Sequence, residues 1–416
     1  MTTKFFDIII IGSGISGLYS ALQIKQTSPT TSFAILEKYK KNWIGGRTSN
    51  DDFYGTEIVT GAGIGRKSKD KLLLALLKYL DFPINDYKVN PQYSNLIEPV
   101  NINKIMEHLK KIYNKSNNNI KNTTFEEFAK PILGEDLYKS FIVSSGYSDY
   151  EKEDTYETLY NYGMEDNSCC WRAFHVPWKK MILKLAKIIG ESHFKFSNNV
   201  VSIDKIQDSP CKFIIKTESN INYICNRVII GTTIDTVRNL FSNKPIYNDI
   251  MGQPFLRLYG KFSASSIHIM KEYVKGFTFV PGPLQRLIPM DPNKGVYMIA
   301  YNDNKNTIAL KKHLKNTKEN REMYCRLLEK SLGIELGTLN LIAIKDYYWP
   351  IGTHYFKPLD KTKYKNREQF INEAQHPENG ILVVGEAIST NQGWTEGALE
   401  SVKSVLTKKW ILQECN

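Results

Sequence analysis

The chain has 416 residues, 42% of them hydrophobic and 24% charged, with 55 basic against 43 acidic side chains and a net charge of +12. That length supports more than one domain, while the longest apolar block, "LLLALLKYL" at 72–80, falls far short of the ~20 residues a membrane-spanning helix needs. The basic excess is scattered among asparagines, as in "HLKKIYNKSNNNIKN" and "LKKHLKNTKENR", so it reads as solvated surface and nucleic acid is not an expected partner.

The first predicted element is a strand, a glycine turn and a helix: "FFDIIIIGSGISGLYSALQIK". "DIIII" starts at Asp7 and reads as a core strand, which leaves no room for a signal peptide and predicts an intracellular, cytoplasmic protein. Gly12, Gly14 and Gly17 have G-x-G-x-x-G spacing. The first glycine allows the turn, the second lets a pyrophosphate approach the backbone, and the third lets the helix lie close on the strand. The helix N-terminus offers unpaired N–H groups and a partial positive charge to phosphate. "TSFAILEK" is the second strand and ends in Glu37, twenty residues after Gly17. A carboxylate there accepts hydrogen bonds from a ribose and repels a 2′-phosphate. "KYKKNWIGGRTSN" follows, in which Gly45 and Gly46 expose backbone amides and Arg47 offers a guanidinium fork to phosphate oxygens.

At Gly45-Gly46-Arg47 the sequence resembles the flavin-containing amine oxidase superfamily, which includes monoamine, polyamine and L-amino-acid oxidases and, more distantly, porphyrinogen oxidases and carotenoid desaturases. Further along, "VTGAGIGR" (59–66) is similar to the family segment that passes the flavin ring, through Gly61, Ala62, Gly63 and Ile64. "SNNVVSIDKI", "FIIKT" and "YICNRVIIGTT" (197–233) resemble its adenine-side strand, hairpin and return strand, with Val200 where the family backbone holds adenine. "PFLRLYGKF" (254–262) resembles the strand beneath the flavin, and "YYWPIGTHYFKPL" (347–359) a wall of the substrate site. "VVGEAISTNQGWTEGALESV" (383–402) closes the set. There the resemblance implies that Gly385 and Glu386 lie along the cofactor, that Gly393 and Gly397 admit it closely, that the helix beginning near Thr395 points its N-terminus at the flavin, and that Trp394 presents an aromatic face.

The resemblance implies an α/β fold, in which a Rossmann-like FAD-binding domain (1–65, 195–240, 375–416) is interleaved with a mixed-sheet and helical substrate cap (66–194, 241–374). It implies oxidation of an amine or amino acid to an imine by hydride transfer to flavin N5, with molecular oxygen as acceptor. The alternatives are a desaturase or porphyrinogen-type oxidase acting on a carbon skeleton, favoured by a wholly apolar cap, and a non-catalytic FAD-binding structural protein. No cysteine lies between Cys325 and Cys415, where monoamine oxidases carry a flavin-linked one, so the FAD is expected to be non-covalent. The six cysteines have neither metal spacing nor a disulfide framework; they read as free thiols, and no metal is expected.

Either His354 or Tyr355 is expected to face Trp394. The resemblance puts Arg257 where the family carries a lysine under the flavin, with Lys261 expected on the same strand face. Arg66 is a candidate for gripping a substrate carboxylate, against an ordinary flavin-edge or surface arginine. "DKLLLALLKYLDF" and "WKKMILKLAKIIG" have helical apolar spacing and are placed as amphipathic cap or packing helices, and "NKSNNNIKNTT" (114–124) as a mobile loop. The Asn/Lys/Ile bias suits an AT-rich genome, a large DNA virus's as well as a protist's. Nothing in the pattern specifies an oligomer.

Overall fold

The first strand, Lys4–Ile11, carries four consecutive isoleucines that leave almost no surface exposed. Ile8 and Ile10 point into one core and Ile9 and Ile11 into another, so this strand is covered on both faces. It pairs in parallel with Phe33–Leu36 on one side and with Asn222–Ile230 on the other. Ile381–Val383 and Phe194–Lys195 extend the sheet in parallel at opposite ends. The hairpin Val200–Lys205 and Phe213–Thr217 completes a seven-stranded sheet by antiparallel pairing on the other half of Asn222–Ile230. The computed structural model describes residues 4–164, 171–206 and 212–412.

A second, six-stranded sheet is centred on two long antiparallel strands, Ile250–Phe262 and Leu341–Phe356. Val296–Asp303 pairs with the first of these, and a register shift interrupts that ladder between Leu258 and Tyr259. A separate helical core gathers Leu109, Phe125, Phe128 and Phe141. The fold is therefore α/β with a mixed-sheet and helical second region, as the sequence implies.

Several expectations change on contact with the packing. Both amphipathic helices form, at Lys71–Tyr79 and Trp178–Ile189. Their apolar faces, through Leu73, Leu76, Met181, Ile182 and Leu185, enter the same core as the first strand and first helix. They buttress the dinucleotide-type sheet rather than the cap. Segment 114–124 is not an open loop: helix Ile102–Lys115 runs into it, a turn of helix spans Asn118–Lys121, and Thr124 caps helix Phe125–Leu133 with a capping box to Glu127. Cys225 and Cys325 are buried free thiols; Cys169, Cys170, Cys211 and Cys415 lie outside the described residues. Among the described residues no helix is long and apolar enough to cross a membrane.

Candidate active site

The glycine turn is built as its spacing requires. Gly12 has φ +100°, a left-handed conformation, and a Cβ on Gly17 would lie 2.0 Å from the Gly12 carbonyl oxygen. Gly14 is different, because a Cβ there would meet nothing nearer than the Gly231 oxygen at 4.0 Å. Its side-chain direction is open space on the wall of a cavity of about 850 Å³. It also stands at the N-cap of helix Ile15–Thr27, with no side chain capping the first amides. An uncapped helix end on an open wall is a seat for phosphate.

Glu37 lies beside that seat. Its Oε2 accepts from Ser13 N and Ser13 Oγ, both at 2.8 Å, and its Oε1 accepts from Tyr39 N at 3.0 Å. A carboxylate has about four acceptor positions, so Oε1 keeps one for a ribose hydroxyl. Gly45 and Gly46 are both left-handed, and Gly45 N donates to Ser13 O at 3.0 Å, bringing the second glycine pair against the first turn. Val200 lines the cavity from the hairpin. These residues fit a dinucleotide.

Farther along the cavity, Arg47 Nη1 donates to Gly352 O at 2.6 Å and to Glu386 Oε2 at 3.2 Å. Glu386, next to Gly385, is a buried hub that also accepts from His354 N, His354 Nδ1 and Gly393 N. Burial opposes its ionisation, but His354, Arg47 and the Gly393 amide hold its carboxyl down at about 2. Gly61, Ala62, Gly63 and Ile64 line the same cavity. Arg257 fixes this segment through Nε to Gly61 O at 2.6 Å, and Trp178 through Nε1 to Gly63 O at 2.7 Å. Trp394 and Thr395, at the start of helix Thr395–Val405, close the lining.

Three expectations are corrected and one alternative is narrowed. Lys261 shares the Arg257 face, as expected, but does not reach the cavity: four residues at ~3.3 Å each carry it along the strand, where its ammonium meets Lys294 O near the Tyr54 ring. Of the two alternatives His354 and Tyr355, both line the cavity, and His354 is the one engaged by Glu386. The His354 Nε2 lies 3.3 Å from Ile234 N and its Nδ1 2.7 Å from Glu386 Oε2, leaving Tyr355 as the cavity's phenol on that strand. Arg66 is committed elsewhere, with Asp70 at 2.7 Å and its guanidinium stacked 3.7 Å from the Trp394 ring centroid. It supports Trp394 rather than a substrate carboxylate. Gly397 does not admit a cofactor, since a Cβ there would lie 2.0 Å from Asn391 O, within the chain's own loop.

The cap end of the cavity holds groups that the sequence reading missed. Tyr147, Asp149, Glu153, Glu157 and Tyr301 all line it. Burial and the neighbouring Asp303 push Asp149 up to about 7, and burial also raises Glu153 and Glu157. The available signal was "YSDYEKEDTYETLYNYG" (147–163), an acidic and tyrosine-rich run in a net basic chain.

With this geometry, solved structures of putrescine oxidase superpose over nearly the whole chain. One, a double mutant redesigned in cofactor binding, gives a TM-score of 0.76 at 13% identity, covering 99% of this chain and 100% of that one. The fold is shared with putrescine oxidase. The wild-type enzyme bound to putrescine gives a TM-score of 0.74 at 13% identity, over 97% and 98% of the two chains. In sequence, the chain is 23% identical to an uncharacterized protein of Acanthamoeba polyphaga mimivirus, over 97% of this chain and 93% of that one. No family model matches.

Proposed function

We propose that this protein is an FAD-dependent oxidoreductase that oxidises an amine or amino acid to the imine, with molecular oxygen as acceptor. The observation that carries the reading is a single cavity joining the Gly12–Gly17 turn and Glu37 to Trp394, Tyr355 and the acidic cap. The amine oxidase fold supports it. Gly12, Gly14, Gly17, Glu37 and Val200 would hold the adenosine and pyrophosphate, and Gly45, Gly46, Arg47 and the 61–64 segment the remainder. When bound, FAD supplies a two-electron acceptor for the substrate's α-hydrogen.

The chain's own contribution is position and charge. Asp149, Glu153 and Glu157 draw a cationic nitrogen into the cap, since each buried carboxyl ionises more readily beside a cation. Trp394, braced by Arg66, and Tyr355 supply aromatic surface that excludes water around the reacting carbon. A polar cap end favours an amine over the apolar carbon skeleton of a desaturase substrate. The FAD would be held non-covalently, since no cysteine lies between Cys325 and Cys415 in the sequence.

The test is spectroscopic. Purified protein should be yellow, bleach anaerobically with some member of an amine and amino-acid panel, and regain colour with air. Acid precipitation should release the colour to the supernatant. A yellow protein that no amine bleaches would remove the amine reading, and a yellow pellet would contradict non-covalent attachment.

A further inference from the structure

Arg257 and Arg286 are both buried, and neither has a carboxylate within ion-pair distance among the described residues. Arg286 has no accessible surface, and none of its three guanidinium nitrogens has a hydrogen-bond partner. A guanidinium does not shed its proton in a protein, and an uncompensated buried charge is costly. Asp149 and Asp303 act on Arg286 from beyond ion-pair distance and Arg257 donates to Gly61 O, so an anion in contact with both cations would lower the remaining cost.

One group lies between them. The Tyr301 ring centroid is 4.1 Å from the Arg257 guanidinium carbon and 3.8 Å from that of Arg286. Tyr147 approaches Arg286 alone, at 3.3 Å, and packs edge-on against Tyr301. Tyr259 and Asp149 also act on Tyr301, and the Asp149 carboxylate accepts from Tyr162. Asp303, two residues along the same strand, is taken up by Ser148 and Gln285. Tyr301 and Tyr147 both line the cavity. Burial raises the Tyr301 phenol, but the two guanidinium groups, with a hydrogen bond from Tyr147, outweigh it and bring it below its ordinary value; burial drives Tyr147 the other way.

We propose that Tyr301 is the proton acceptor of the site, a phenolate held between Arg257 and Arg286 that takes the proton from a substrate ammonium in the cavity. This rests on the amine reading above. The substrate N–H bond breaks, its electron pair stays on nitrogen, and an O–H bond forms on Tyr301; no oxidant is consumed. Carboxylates that attract an ammonium also stabilise it, so the cavity needs a separate group to release the free amine, whose lone pair assists oxidation.

The test is an ultraviolet titration of the FAD-loaded protein, comparing wild type with Tyr301→Phe. One of the 24 tyrosines should develop phenolate absorbance below the ordinary tyrosine value of about 10, and that step should vanish in the variant. Arg286→Met, which keeps the phenol, should move the step upward, and it decides the matter if Tyr301→Phe does not fold. Superimposable titrations of wild type and either variant overturn the inference. In turnover, kcat/KM of Tyr301→Phe should fall at least tenfold at neutral pH and recover as pH rises and the free amine becomes abundant; a pH profile parallel to wild type overturns the proton-acceptor role. If no amine bleaches the wild-type flavin, the functional reading fails and this role falls with it, while the titration still reports the phenolate.

Discussion

At the scale of single residues, the site turns on where burial and charge oppose each other. Glu386 and Asp149 are both buried carboxyls, yet one is held down at about 2 and the other pushed up to about 7. The difference is in their partners: Glu386 faces Arg47, His354 and an amide, whereas Asp149 faces another carboxylate, Asp303. The folded Asp149 carboxyl thus holds its proton more tightly than the unfolded one. It costs no stability below about pH 4, where both states are protonated, and an increasing amount as pH rises towards 7, where only the unfolded chain ionises freely. Asp149→Asn should therefore leave the urea midpoint at pH 4 unchanged and raise stability at pH 8 by roughly 1 kcal/mol or more, since one unit of pKa shift corresponds to about 1.4 kcal/mol. Equal effects at the two pH values would show that Asp149 is ordinarily ionised in the fold. The residue scale is also where the sequence was least legible. Choosing between His354 and Tyr355 required knowing which face of a strand carries Glu386 and the Ile234 amide, and both come from distant chain.

Elements were far easier to read than their allegiance. Helices Lys71–Tyr79 and Trp178–Ile189 follow from local apolar spacing, but that spacing does not say which core the apolar face meets. A long-range cap fixes the first of them. Asp70, at its N-cap, makes no capping bond to its amides and pairs with Arg66, while Leu72 N and Leu73 N donate to Glu396 at 2.6 and 2.9 Å. Glu396 sits in the first turn of Thr395–Val405, directly after Trp394, so one carboxylate ties the base of the cavity wall to this helix. Glu396→Ala should cost about 2 kcal/mol, the scale of a lost cap with two buried donors left unpaired, and Glu396→Gln, which keeps an acceptor oxygen, should recover part of it in urea unfolding. A neutral Glu396→Ala would mean that water replaces the carboxylate. Strand alternation was legible but reach was not. Period two puts Arg257 and Lys261 on one face, and the unbroken pairing with Leu341–Phe356 keeps them there, yet which of the two meets the cavity depends on where the distant 61–64 segment crosses the strand.

Across the whole molecule, the legible part was the pair of chain ends. Gly12 to Glu37 and Gly385 to Thr395 carry their constraints within a few residues, as positive φ angles, close backbone approaches and a helix start, and the fold brings both onto one cavity. The acidic cap was hidden because its carboxylates acquire meaning only when the helical region closes over the sheet. That convergence makes ligand binding separable from folding at Gly14. Its φ of −69° and ψ of 175° suit any residue, its Cβ direction is open, and it occupies an N-cap that lacks a side-chain acceptor. Aspartate is among the best residues for that position, so Gly14→Asp should leave the unliganded protein as stable as wild type or up to about 1 kcal/mol more so. The same carboxylate projects into the phosphate seat, where its charge and bulk oppose a pyrophosphate. FAD at a hundred times its Kd should stabilise the wild-type protein by about 2.7 kcal/mol, read as a rise in Tm, and should not shift Gly14→Asp. A variant that still responds fully to FAD would mean that the cofactor does not cross the first glycine turn, and the joining of the two chain ends around one ligand would have to be abandoned.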